Sequence, residues 1–371
     1  MAHVSGIGSM AALAAALIAC GSSAQPAAIQ LEPVSKFEIV GSFAGKKAGK
    51  KVTDLSGIAC MAHQTSTIRT CLAVNDENQS AQFVAIKMDE HKMVIGPTVR
   101  LIGNGPSANV VGDKPSVRCP NGEAGFEEFD GEAVAYEEPY FYVIGSHGCS
   151  RKKGEFRPSS FLLARIRIDK ERSPFDLNGN PSPSGAPGSV ETTFRVADVL
   201  QQATQISAYF GKDLNADNGL NIEGMAVMDG KLVLGLRAPS VGGKAFVLRV
   251  DPASLFASQA GLVSEPELIA LAVGQDAGIR DLAALPDGRL LVLSGPAQEQ
   301  RNIPYDLFIL EPRTGEMIKV GSIKNEGEGK AEAVTVLEAN KDELRLLVLF
   351  DGLENGDPRE YRVLAKRNGA R

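Results

Sequence analysis

The 371-residue chain has no tryptophan, four histidines and five cysteines, and aromatic residues make up 6% of it. No apolar run reaches the roughly 18 residues that a membrane-spanning helix needs, so no helical span is predicted. There is no basic excess either. Thirty-nine Lys and Arg stand against 45 Asp and Glu, for a formal net charge of -6, and nucleic-acid binders need a basic face. The cysteines form no CxxC pair, which argues against a zinc or redox motif. Gly-x-Ser-x-Gly is missing, and with it a nucleophile elbow. So is a Gly-rich loop ending in Lys-Ser/Thr, which would cradle phosphates. What is present is an ordinary globular composition, 43% hydrophobic and 23% charged, which excludes collagen, a coiled coil and a disordered chain.

Ile7 to Cys20 is an Ala-rich apolar stretch, too short to span and typical of a signal-peptide core, so residues 1–24 are assigned as a signal segment. Leu17-Ile18-Ala19-Cys20 resembles the bacterial lipoprotein box, with cleavage before Cys20 and a lipid on it. Ser22-Ser23-Ala24 offers a rival cut. Residues 1–10 hold no Lys or Arg, a departure from the usual pattern, and a buried Ala-rich helix is the plainer alternative. The expectation is a periplasmic or exported protein whose membrane contact is at most a lipid anchor in the outer membrane. Either cut leaves Cys60, Cys71, Cys119 and Cys149, an even number that suits disulfides in an oxidising compartment. Of the three pairings, Cys60–Cys71 with Cys119–Cys149 is preferred, because a polar hairpin-like segment sets the first two side by side.

The rest of the chain repeats. An ionic or polar residue, a small residue and an apolar pair are followed by a turn and an apolar run. The first strands are Ser56-Gly57-Ile58-Ala59, Glu132-Ala133-Val134-Ala135, Glu223-Gly224-Met225-Ala226, Arg280-Asp281-Leu282-Ala283 and Glu332-Ala333-Val334-Thr335. Asp229-Gly230 and Asp287-Gly288 are hairpin turns. Alternating segments such as Ala245–Val250 complete four strands per unit, the pattern of a β-propeller. The prediction is an all-β, five-bladed propeller over residues 30–371. Lys36 to Phe43 is expected as the missing outer strand of the last blade, closing the ring. Uneven spacing places insertions at 103–129 and 176–189, and a short surface helix is expected over 197–210. The Lys46-Lys47 and Lys50-Lys51 pairs read as a solvated loop.

Gly145-Ser146-His147-Gly148, Asn221–Ala226 with Gly235–Pro239, Ile279–Ala283 with Leu293–Pro296, and Glu332-Ala333-Val334 with Phe350-Asp351-Gly352 together resemble the bacterial domain of unknown function 3616 family, over about residues 50–365. The resemblance implies an exported bacterial propeller and carries no established activity. It is distantly similar to phytase-like and esterase-like propellers.

In such a ring the first strands line the axis, so Ser56, Glu132, Glu223, Arg280 and Glu332 should form a collar at one channel mouth. Second-strand ends should add Asp76, His147, Arg237 and Asp351 to it. Three converging carboxylates repel unless a cation sits among them, which Arg280 or a calcium ion held by Glu132, Glu223 and Glu332 would supply. Candidate ligand contacts are Glu132, Arg237, Asp281, Glu332 and Asp351; candidate catalytic groups are His147, Glu223 and Arg280. The leading expectation is a monomer that binds a small polar ligand, metal or protein partner. A calcium-dependent phosphoester or ester hydrolase and a purely structural ring are the alternatives. Asp213, Asn215 and Asp217 alternate like calcium-loop ligands, but the glycine and glutamate spacing breaks the EF-hand pattern, so a polar turn is the default.

Overall fold

In a computed structural model, which describes residues 1, 3, 29–45, 51–62, 67–168, 173–182, 188–258, 266–324, 327 and 329–365, the chain forms five sheets arranged as a β-propeller. The signal core with Cys20, and Lys46, Lys47 and Lys50, lie outside the described residues. From the axis outward, blade 1 is Leu55–Cys60, Ile68–Asn75, Ser80–Lys87 and Lys92–Arg100. Blade 2 is Gly131–Glu137, Tyr140–Gly145, Leu163–Arg167 and Val190–Thr193. Blade 3 is Asn221–Met228, Lys231–Ala238, Ala245–Val250 and Glu267–Leu271. Blade 4 is Ala277–Ala284, Leu290–Pro296, Tyr305–Glu311 and Glu316–Ile323. Blade 5 contributes Lys330–Ala339, Glu343–Asp351 and Arg359–Leu364.

The hydrophobic runs follow from this arrangement. Each blade is sandwiched between two others, so both faces of its middle strands are buried. Leu291 and Leu293 enter the core shared with blade 5, while Leu290 and Val292, on the opposite face, enter the core shared with blade 3. Five such cores lie in the five seams between blades. Full burial of one such leucine is worth about 2–3 kcal/mol. The innermost strands meet one another around the axis, including that of blade 5 with that of blade 1. Gly57 shows how close they come: a Cβ there would lie 2.8 Å from the Cα of Ala133 in the next blade.

Closure differs from the expectation for Lys36 to Phe43. Ser35–Lys36 is the fourth strand of blade 5, paired antiparallel with Arg359 and Glu360. Glu38–Val40 instead runs parallel along the outer strand of blade 1, and Gln30–Leu31 runs parallel along that of blade 4. The N-terminal segment is therefore a strap across three outer edges. Phe37 causes the switch. Its ring is buried in the core between blades 5 and 1, its N–H donates to the Pro358 carbonyl, and the N–H of Glu38 already donates to His91.

The surface helix is shorter than expected, Val196–Gln202, followed by a 3-10 turn at Ser207–Tyr209. Val196, Val199 and Leu200 bury one face of it, and Thr204, Ile206 and Ser207 beyond it are poor helix formers. The disulfides are Cys60–Cys71 and Cys119–Cys149. Cys60 and Cys71 are direct cross-strand partners in blade 1. These bonds point to an oxidising extracellular environment, and among the described residues no helix is long and apolar enough to cross a membrane.

Candidate functional site

Every innermost strand breaks its pairing register at the same point of the repeat. The shifts fall between Leu55 and Gly57, Gly131 and Ala133, Ile222 and Gly224, Ile279 and Asp281, and Ala331 and Ala333. The skipped residues are Ser56, Glu132, Glu223, Arg280 and Glu332, the repeated column of the sequence. A bulge leaves its extra residue unpaired and re-aims the side chain, so the same backbone irregularity, repeated five times, presents the column to the axis.

Three members of the column lock together. Arg280, 2% exposed, places Nη1 2.8 Å from Glu223 Oε2 and reaches Glu332 Oε1 through Nη2. The other oxygen of Glu223 accepts from Arg237 Nη1 at 2.6 Å. Arg237 is held in turn by the Ala297 and Gln298 carbonyls, each at 2.9 Å. Burial alone would raise the Glu223 carboxyl, but Arg237, Arg280 and Arg151 outweigh it and hold the group below its ordinary value. Glu223 is an ionised, doubly paired carboxylate.

Glu132 is different. It is 6% exposed and has no direct hydrogen-bond or ion-pair partner among the described residues. Burial, then the fields of Glu223, Asp130 and Asp76, push its carboxyl well above the usual carboxylate range. Asp76 is raised likewise, by burial and by Asp130, and its Oδ1 is buried without a hydrogen-bond partner. Burial also raises Asp130, against hydrogen bonds from Ser146 and Ser160. The cation on this side is Arg151, whose Nη2 stands 3.7 Å from Asp76 with 40% of its side chain exposed. Burial works against its charge, but Glu132, Glu223, Asp76 and Asp130 together raise its pKa.

Asp281 is fully enclosed. Its carboxylate accepts from the backbone N–H of Leu282 at 2.8 Å and Val334 at 2.7 Å, and from that of Met225, so it ties blade 4 to blades 5 and 3. Asp351 pairs with Lys330 at 3.0 Å on the rim. His147 is buried against Phe161, with Nδ1 2.9 Å from the Gly145 carbonyl. Burial lowers its pKa to about 4, and no ring carboxylate acts on it, so it stands apart from Glu223 and Arg280. Asp213 Oδ1 accepts from the N–H groups of Asn215 and Ala216, which makes that segment a polar turn. Among the described residues no three acidic, histidine or cysteine side chains form a metal-holding group. The expected calcium set is thus not assembled: the Arg280 guanidinium already bridges Glu223 and Glu332.

Asp130, Arg151 and Tyr305 complete the site without having been expected in it. Tyr305, raised by burial, lies in the fields of Arg280 and Glu223. Asp130 precedes Glu132 by two residues, as Asp54 precedes Ser56, an alignment that could have revealed it. Arg151 has no such repeat.

Fold and site define a five-bladed propeller with a charged collar at one end of its axis. The chain belongs to the family of proteins of unknown function DUF3616, whose sequence profile matches residues 157–365. That span takes in the motifs of blades 3, 4 and 5, while Gly145–Gly148 lies upstream of it. No curated protein matches the chain. Similar solved structures include an α-L-arabinofuranosidase from Podospora anserina in complex with cellotriose, at 10% identity and TM-score 0.43, covering 90% of this chain and 98% of that one. An endo-arabinase from Bacteroides thetaiotaomicron has 10% identity and TM-score 0.41, covering 87% and 97%. A putative 6-phosphogluconolactonase from Bacteroides uniformis has 12% identity and TM-score 0.32, covering 80% and 82%. Likeness at this level carries no inference about activity.

Proposed function

We propose that this is an exported binding propeller that holds a small polar, positively charged ligand on the Glu132 side of the axial collar. The observation that carries the reading is the unequal division of the column: Glu223 and Glu332 have guanidinium partners, and Glu132 has none. Five carboxyls (Asp76, Asp130, Glu132, Glu223 and Glu332) meet three guanidiniums (Arg151, Arg237 and Arg280), two of which are committed to Glu223 and Glu332. A ligand ammonium beside Glu132 would relieve the repulsion among the uncommitted acids, competing with the half-exposed Arg151. Arg237, Asp281, Glu332 and Asp351 form or brace the walls. The protein would act as a monomer in the periplasm, reached through the 1–24 signal and retained, if Cys20 is lipidated, at the outer membrane. The paired disulfides support that compartment.

Calorimetric titration with putrescine and ethanolamine, with glycerol as the uncharged comparison, tests the reading. Saturable, salt-sensitive amine binding is expected, weakened about tenfold or more in Glu132→Gln, as befits loss of a charged hydrogen-bond acceptor. Failure of both amines to bind, or unchanged affinity in Glu132→Gln, would overturn it.

A further inference from the structure

The charged collar carries two further buried oxygens that lack a donor. Asn221 is 7% exposed, and its Oδ1 is buried with no hydrogen-bond partner. Asp76 Oδ1 is in the same state, because the contact from Arg151, at 3.7 Å, goes to Oδ2. A buried acceptor without a donor costs about 1–3 kcal/mol, so native structures keep few of them. Glu132 has no partner either. The three acceptors come from three consecutive blades.

One short segment, 146–151, runs past all of them. Asn221 stands two residues ahead of Glu223, as Asp130 stands two ahead of Glu132. The Ser146 hydroxyl donates to Asp130, and the Ser146 carbonyl accepts from the N–H of Ile222 at 2.8 Å. Gly148 packs on Asn221: a Cβ there would lie 3.2 Å from Nδ2. The amide therefore presents Nδ2 to Gly148 and Oδ1 on its opposite edge. Arg151 then sets its guanidinium in the fields of Glu132, Glu223, Asp76 and Asp130. Three acceptors suit the three N–H donors of a primary ammonium. A quaternary ammonium carries the same charge without any N–H and is held by aromatic faces. The Tyr305 ring lies in the fields of Arg280 and Glu223, and the His147 ring packs on Phe161, so neither serves Glu132 in that way.

We infer that the ligand cation is a primary ammonium, its N–H groups shared among Glu132, Asp76 Oδ1 and Asn221 Oδ1, and that Asn221 is a specificity-determining residue of the site. The inference rests on the reading of the collar as a cation site and adds directed hydrogen bonding to charge.

Calorimetric titration of the disulfide-intact protein with ethanolamine, N,N-dimethylethanolamine and choline tests it. The series keeps the hydroxyl and the charge while the N–H donors fall from three to one to none. Ethanolamine should bind at least about tenfold more tightly than choline, with the dimethyl compound between them, as loss of charged hydrogen bonds implies. Asn221→Ala should narrow that ratio by weakening ethanolamine. Equal binding of ethanolamine and choline would overturn the inference and leave the charge-based reading standing, whereas failure of every amine to bind would overturn both. A ratio that Asn221→Ala leaves unchanged, or narrows only through a gain for choline, would overturn the inference as well. Should Asn221→Ala not fold, the series on the unaltered protein decides.

Discussion

Glu223 Oε2 lies 2.8 Å from Nη1 of Arg280, its counterpart at the bulge of the next blade. With Glu332 on the other Nη of Arg280, the contact joins blades 3, 4 and 5 at the axis. Removing the cation strands the buried Glu332 carboxylate and leaves Glu223 with Arg237 alone. Arg280→Met is expected to cost about 3–5 kcal/mol, the range for breaking a buried pair from one side. Denaturant unfolding checks it, and adding Glu332→Gln to that variant should recover part of the loss.

Glu132 should behave in the opposite way. Its carboxyl, with those of Asp76 and Asp130, is raised in the folded state, so the folded protein binds protons that the unfolded chain has released. Stability then falls as pH rises from the ordinary carboxyl range near 4 toward the raised values, with a slope of about 1.4 kcal/mol per pH unit for each such proton. Below pH 4 the lowered Glu223 acts oppositely, and stability falls again as it is protonated. Glu132→Gln is expected to flatten the upper limb and to be neutral or stabilising at pH 8, read from unfolding free energies at pH 5 and 8.

Asp281 staples three blades through backbone amides. Asp281→Ala leaves those N–H groups buried without an acceptor, at about 1–3 kcal/mol for each one left unsatisfied. Hydrogen exchange at Val334 should accelerate in that variant, and exchange as slow as in the unaltered protein would contradict the stapling role.

Cys119–Cys149 closes a 30-residue separation and anchors the segment that carries Arg151. Replacing both cysteines with serine should cost about 3–4 kcal/mol by the loop-entropy argument. It should also steepen the fall in stability toward high pH, since Arg151 is the cation nearest the uncommitted acids.

The ring of five and its mostly charged column were readable because the units share a pattern of a polar or ionic residue ahead of small and apolar ones, and because strands buried on both faces lose the alternation of a half-exposed sheet. The Cys60–Cys71 disulfide was readable from a hairpin, which left Cys119 to pair with Cys149. Which charges meet was not. Arg237, at a second-strand end, reaches across to Glu223, and Arg151 enters from a non-repeating turn, so neither contact leaves a periodic trace. His147 misled for a related reason: a strand-end position shared with Asp76 and Asp351 does not fix side-chain direction, and with φ at 53° its ring turns onto Phe161. The strap was misjudged because the side chain that redirects it, Phe37, answers to a seam between two blades rather than to the alternation of one strand.

The division of the column into a paired and an unpaired half is tested most directly by carbon-detected NMR titration of glutamate carboxyls, with Glu132→Gln and Glu223→Gln for assignment. The Glu132 carboxyl should titrate well above the ordinary range near 4.3 and that of Glu223 below it. Titration of both together, or of Glu132 below Glu223, would show that Glu132 has a cationic partner of its own, and the ligand-binding account would fail.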